Sequence, residues 1–125
     1  MNGRIVILGV TGSIAACKAV DLASLLVKAG VDVHVVMTPD AQRFVTPLPF
    51  KTLSRHAVTT DLYDEEEGWK PAHIEQADRA DVMLIAPATA NTMARLAHGL
   101  ADDVLSCTAL ALRPEARLVI APAMN

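Results

Sequence analysis

Apolar and polar residues follow two different periods along this chain. Residues 5–8 are an unbroken apolar run, too short for a helix, and read as a buried strand that stops at Gly9. From Ala15 the spacing changes: Ala15, Ala19, Leu22 and Leu26 recur at helical intervals, while Lys18, Asp21 and Lys28 fall on the opposite face. Gly30 stands where a left-handed residue would close that helix. Residues 32–37, DVHVVM, return to a strand pattern. Strand, loop, helix and strand within about thirty residues make a βαβ unit, whose crossover is expected to be right-handed.

Thr38, Pro39 and Asp40 follow as a helix start, with Thr38 as N-cap and Pro39 in the first helical position. Residues 47–68 lack a clear period. They hold Pro47 and Pro49, a short strand expected over 57–63, and an acidic run at 64–67 that reads as a solvated loop. Pro71 enters a short helix, and residues 81–86, DVMLIA, form a further strand. Residues 87–92 are a second polar loop that opens a helix through Met93, Leu96 and Ala97, stopped by Gly99. Asp102 is expected to cap another helix, Pro114 to limit it, and residues 118–120 to form a last strand. The alternation predicts one α/β domain over residues 1–125, a three-layer Rossmann-like or flavodoxin-like fold with a parallel sheet. Ligands are expected at the C-terminal ends of its strands.

Composition narrows the class. The chain has 125 residues, 52% of them hydrophobic and 20% charged, and a net charge of −3, so a basic nucleic-acid surface is not implied. No apolar run approaches the length of a membrane span. Arg4 followed by an apolar stretch ending at Cys17 has the outline of a lipoprotein signal, but Gly9 and Gly12 interrupt it and the helical period continues past Cys17. A cytoplasmic protein is therefore expected. Cys17 and Cys107 lie in predicted helices without metal or redox spacing and read as buried structural thiols. The mean hydropathy of +0.33 points to apolar surface shared between subunits or to Ala-rich helices.

The chemistry concentrates in two loops. In GVTGSIAACK, Gly9 and Gly12 permit positive φ and close backbone approach, and Thr11 and Ser13 place hydroxyls beside the spare N–H groups of a helix start, as phosphate binding requires. Thr89 to Thr92 repeat this arrangement after the strand over 81–86. The dinucleotide pattern G-x-G-x-x-G is absent, and Met37-Thr38 stands where a ribose-binding acid would be, which disfavours NAD. An ATP-binding G-x-x-x-x-G-K-[ST] loop is also absent.

Together GVTGSIAACK, His73 in AHIE, the run ADVMLIAPATANTMARLAHGLADDVLS and the closing APAMN resemble the homo-oligomeric flavin-containing cysteine decarboxylases over essentially the whole chain. The likeness is strongest to the branch acting on 4′-phospho-N-pantothenoylcysteine in coenzyme A biosynthesis. It implies FMN contacts at Gly12, Ser13, Ile14 and Thr38, a ring contact from Phe44, and a second flavin loop of Thr89, Ala90, Asn91 and Thr92. It places Ala123 near the flavin ring, Asn125 on the substrate carboxylate and His73 as the catalytic histidine. It also implies a trimer or dodecamer, with phosphopantothenoylcysteine synthetase as a fused or separate partner.

The implied reaction is chemically coherent. A saturated cysteine carboxylate offers no sink for the electrons left by departing CO2, whereas oxidising the thiol-bearing carbon first creates one, and flavin is a two-electron acceptor. His73 would take the thiol proton or steer the carboxylate, and Asn125 would donate to that carboxylate without adding charge. Arg43, Lys51 and Arg95 are candidates for the substrate phosphate. Two other enzymes of the same fold, a peptidyl-cysteine decarboxylase and the flavin prenyltransferase, and a non-catalytic regulatory subunit are the alternatives. The family pattern continues past Asn125 into a further strand and a substrate flap with a proton-donating cysteine, so this chain is expected to be a fragment of a longer protein.

Overall fold

The computed structural model describes residues 3–63 and 71–124; the acidic run at 64–67 and Asn125 lie outside them. Strand β1 is Ile5–Val10, followed by helix α1 (Ala16–Lys28), strand β2 (Asp32–Met37) and a 3-10 turn at Asp40–Arg43. Helices α2 (Pro47–Ser54) and α3 (Ala72–Arg79) lead to β3 (Val82–Ala88), and α4 (Ala90–His98) and α5 (Val104–Ala111) to β4 (Arg117–Pro122). The strands form one parallel sheet in the order β2-β1-β3-β4. This is the expected three-layer, flavodoxin-like α/β fold.

The strand alternation sorts the core into two layers. Val6, Leu8, Val10, Val33, Val35 and Met37 meet α1 and the fully buried Phe50 of α2 on one face. Ile7, Val36, Met83 and Ile85 meet Val104 and Leu105 of α5 on the other, with Met93 and Leu96 of α4 against them. Both faces of the central strands are covered, which explains why their sequences are continuously apolar. All six residues of β4, by contrast, are exposed.

Several local expectations are corrected. The irregular region contains α2: Thr46 is an extended N-cap, and Pro47 and Pro49 occupy the first turn, where a missing N–H costs nothing. The strand expected over 57–63 reduces to a single parallel bridge, Val36 to Thr59, on the outer edge of β2. Asp103 rather than Asp102 caps α5, accepting from the Ser106 amide at 2.7 Å while the Ser106 hydroxyl accepts from the Asp103 amide at 3.3 Å. Asp102 is left free to pair elsewhere. Thr38 does accept from the Ala41 amide at 3.2 Å, but what it caps is the short 3-10 turn. Cys17 is exposed and Cys107 half-buried, so neither is the core thiol expected.

At the opposite end of β2, Asp32 fastens the exit of α2 to the sheet. Its carboxylate lies 2.7 Å from His56 Nε2 and 3.4 Å from His34 Nε2, and the two imidazoles stack with centroids 4.1 Å apart.

Candidate functional site

The strand order reverses between β1 and β3, because β2 lies on one side of β1 and β3 on the other. Ligand crevices of such sheets form at the carboxyl ends of the strands flanking that reversal. Both polar loops arrive there. Val10 ends β1 and Ala88 ends β3, so residues 11–15 and 89–92 face each other across the reversal.

Thr11 joins the loops. Its buried hydroxyl donates to the Pro87 carbonyl at 2.5 Å and accepts from the Thr89 amide at 3.1 Å. Thr89 in turn caps α4, its hydroxyl accepting from the Thr92 amide at 3.2 Å. One buried threonine thereby fixes the first loop, the second loop and the start of α4 relative to one another.

The two glycines serve different ends. Neither adopts positive φ. Gly9 lies inside β1, and a Cβ there would sit 2.9 Å from Leu105 Cδ1, so its absence lets α5 pack on the sheet. Gly12 belongs to the site: a Cβ there would come within 2.5 Å of Asp40 Cβ and 3.1 Å of the Asp40 carbonyl carbon. Glycine is what allows the first loop to lie against the turn after β2.

Together these segments enclose a cavity of about 370 Å³ lined by Gly12, Thr38, Pro39, Asp40, Thr89, Asn91, Thr92, Arg95, Asp102 and Asp103. Among the described residues the amides of Gly12 and Ile14 find no protein acceptor, whereas the Ser13 amide donates to Thr11 O and the Ala15 amide to Ser13 Oγ. Two free N–H groups ahead of α1 suit an anionic oxygen. The structure thus fits the phosphate of a mononucleotide: spare backbone donors, threonine hydroxyls, and a glycine without which the loop would not close on Asp40.

The remaining expected residues are placed unevenly. Phe44 is half-exposed and lines an adjoining opening with Gly12, Asp40 and Arg43. Ile14 projects into solvent, and Ala90 is exposed in the first turn of α4. Ala123 donates its amide to the Ala88 carbonyl at 3.0 Å and lines a shallow apolar depression with Ala15, Ala19, Pro87 and Pro122. Ala123 therefore adjoins both loops without entering the main cavity. Asn125 lies outside the described residues.

His73 is buried in α3 and lines none of these cavities. Its Nδ1 has no hydrogen-bond partner among the described residues, and burial holds its pKa below the ordinary histidine value. Neighbouring Gln76 donates to Thr59 Oγ1 at 3.3 Å and ties α3 to the bridge beside β2.

Charge in the cavity was only partly foreseen. Arg95 is committed to carboxylates, with Nε 2.7 Å from Asp102 Oδ1 and Nη1 3.9 Å from Asp103 Oδ2. The Asp102 hydrogen bond raises the guanidinium pKa, and that same bond lowers the pKa of Asp102. Asp40, Asp102 and Asp103 were not anticipated as wall residues. Their positions depend on the turn after β2 and on the α4–α5 connection, neither of which carries a phosphate-loop pattern.

Comparison with known proteins agrees with this geometry. The chain is 51% identical to the coenzyme A biosynthesis bifunctional protein CoaBC of Bacillus subtilis over 100% of its own length and 30% of the relative's. A Streptococcus mutans protein named as a probable phosphopantothenoylcysteine decarboxylase is 46% identical over 96% of this chain and 67% of its own. The chain thus spans about 30% of the bifunctional relatives and about two thirds of the shorter one. Among solved structures, the FMN-dependent cysteine decarboxylase SpaF superposes with a TM-score of 0.89 at 38% identity, covering 98% of this chain and 70% of that one. A PPC decarboxylase mutant complexed with pantothenoylaminoethenethiol gives a TM-score of 0.81 at 32% identity, covering 98% and 68%. The model of the family described as Flavoprotein matches residues 1–125, and the chain belongs to that family.

Proposed function

We propose that this chain is the FMN-binding domain of a phosphopantothenoylcysteine decarboxylase, acting in the cytoplasm as a homotrimer or larger assembly. The observation that carries the reading is the cavity at the sheet reversal, with free Gly12 and Ile14 amides on one side and the Thr89 to Thr92 loop on the other. FMN bound there would supply a reversible two-electron acceptor, which removal of CO2 from a cysteine carboxylate requires.

The chain's own residues divide the remaining work. Gly12 and Ile14 would hold the phosphate by their amides and Ser13 by its hydroxyl, Thr38 and the Thr89, Asn91 and Thr92 side chains would meet the polar chain of the cofactor, and, as the family likeness implies, Phe44, Ala90 and Ala123 would lie around its ring. His73 takes the thiol proton or steers the carboxylate, the role that the likeness to cysteine decarboxylases gives it. Asn125 holds the substrate carboxylate as a neutral donor. The identity to bifunctional CoaBC proteins supports a synthetase domain as fused or separate partner. Assembly is supported by the exposed apolar residues Leu118, Val119 and Ile120 on β4 and by Leu110 of α5.

A second reading is decarboxylation of another cysteine-bearing substrate, such as a C-terminal peptide cysteine; the superposition on SpaF, an FMN-dependent cysteine decarboxylase, supports the cysteine chemistry that both readings share. The absorbance spectrum of purified protein and the mass of its released cofactor test the shared part: a flavin spectrum with FMN released is expected, and a colourless protein that takes up no FMN refutes it. Supplying phosphopantothenoylcysteine beside a cysteine-ending peptide then separates the readings by which substrate releases CO2.

A further inference from the structure

We propose that Asp32, His34 and His56 form a binding site for a divalent transition-metal ion of the zinc class. The donor atoms of the three side chains all lie within 4.8 Å of one another. Two imidazole nitrogens and one carboxylate oxygen are the donor set that selects zinc, cobalt, nickel or copper over magnesium and calcium. At metal–ligand bonds of about 2.0–2.1 Å, donors in a tetrahedron stand roughly 3.3–3.4 Å apart. The two imidazoles now approach different oxygens of the carboxylate, His34 Nε2 at 3.4 Å from Asp32 Oδ2 and His56 Nε2 at 2.7 Å from Asp32 Oδ1, so holding one ion requires the carboxylate to turn one oxygen toward both rings or to bind through both.

The backbone brings these donors together by design of the local chain. Asp32 and His34 are two apart on β2 and share one face. His56 returns to that face because Arg55 ends α2 in the left-handed conformation, with φ of 62°, and the His56 amide then donates to Ser54 Oγ at 3.2 Å. The imidazoles are nearly parallel, 12° apart, so their lone pairs do not yet converge. His56 is the more exposed partner. Its side chain is 38% exposed against 12% for His34, so a modest rotation of His56 out of the stack aims both nitrogens at one point, and the 40% exposed Asp32 leaves a path for the ion to enter.

This site is independent of the flavin reading. It sits at the amino end of β2, whereas Thr38 and the cavity lie beyond its carboxyl end, a strand length of about 20 Å away. The ion therefore acts as a clip that closes the chain between residues 32 and 56 and holds the end of α2 on the sheet edge.

The test uses the untagged chain as purified, with whatever cofactor it carries, stripped of metal by a chelator and titrated with ZnCl2 and CoCl2. One equivalent is expected to bind, with visible cobalt absorption of low coordination number and a rise in melting temperature with zinc. His56→Gln and His34→Gln are expected to weaken binding at least about tenfold and to remove the thermal shift, because each deletes one of three ligands. His98→Gln, remote from the cluster in sequence and at the end of α4, should bind as the parent does. Failure of the parent to bind, or equal affinity in His56→Gln, overturns the proposal and leaves the cluster a hydrogen-bonded clasp. Should His34→Gln not fold, the half-exposed His56→Gln decides alone.

Discussion

Thr11 and Thr89, 78 positions apart, are joined by a hydrogen bond of 3.1 Å from the Thr89 amide to the Thr11 hydroxyl, which itself donates to Pro87. Replacing Thr11 by the near-isosteric valine removes the partner of the half-buried Thr89 amide and of the buried Pro87 carbonyl. The expected loss is about 1–3 kcal/mol of stability, together with weaker FMN binding. Thr11→Ser should recover most of both. Urea unfolding of the two variants, alongside FMN titration, checks the difference.

Gly9 and Gly12 should respond differently to alanine. At Gly9 the new methyl meets the end of the buried Leu105 side chain, and a cost of about 1–3 kcal/mol is expected, reduced when Leu105 is shortened to valine. At Gly12 it meets the Asp40 backbone as well as its Cβ, so the loop itself must move. FMN binding should fail in Gly12→Ala and survive in Gly9→Ala, as read by flavin content after purification.

The adjacent aspartates also separate. Asp103→Ala removes a half-buried cap and is expected to cost about 1 kcal/mol. Asp102→Asn takes a negative charge from the cavity wall and releases Arg95 toward it. FMN affinity should rise in Asp102→Asn, and the gain should shrink as salt is added. Chemical denaturation measures the first effect and fluorescence titration the second.

Acid should destabilise the fold through His73. Burial lowers its folded-state pKa below the ordinary 6.5, so between those values the unfolded chain binds more protons than the folded one. Stability is then fully retained above 6.5 and falls as the pH drops through and below that value. His73→Asn should flatten this part of the stability profile while keeping FMN bound, and, on the proposed function, should abolish decarboxylation; a variant working at the parental rate would remove His73 from the proposed reaction.

Whatever is encoded locally could be read from the sequence. The apolar run of β1, the period of α1 and the closing Gly30 and Gly99 are each set by residues a few positions apart, and the structure has them as expected, with Gly30 and Gly99 both at positive φ. Helix α2 was hidden because Pro47 and Pro49 look like breakers until their place in the first turn is known. The choice between Asp102 and Asp103 as cap turns on a one-residue difference in where the chain turns, which neighbouring carboxylates do not reveal. Tertiary roles were the least legible. Thr11 was read as a phosphate hydroxyl, yet its bonds run to the other loop; Gly9 was read with Gly12, yet it answers to Leu105.

The placement of the cavity also sets an order of events during synthesis. Its walls come from residues 12 to 40 on one side and 89 to 103 on the other, and they meet only when β3 pairs with β1 across the intervening chain. A nascent chain that has released β1, α1 and β2 already carries the first loop and its free amides, but it has no second wall and no Thr89 to lock against Thr11. Closing so long a loop is the slow, entropically costly part of assembling such a sheet. Cofactor capture must therefore follow the long-range pairing of the sheet, and FMN selects chains that have completed it.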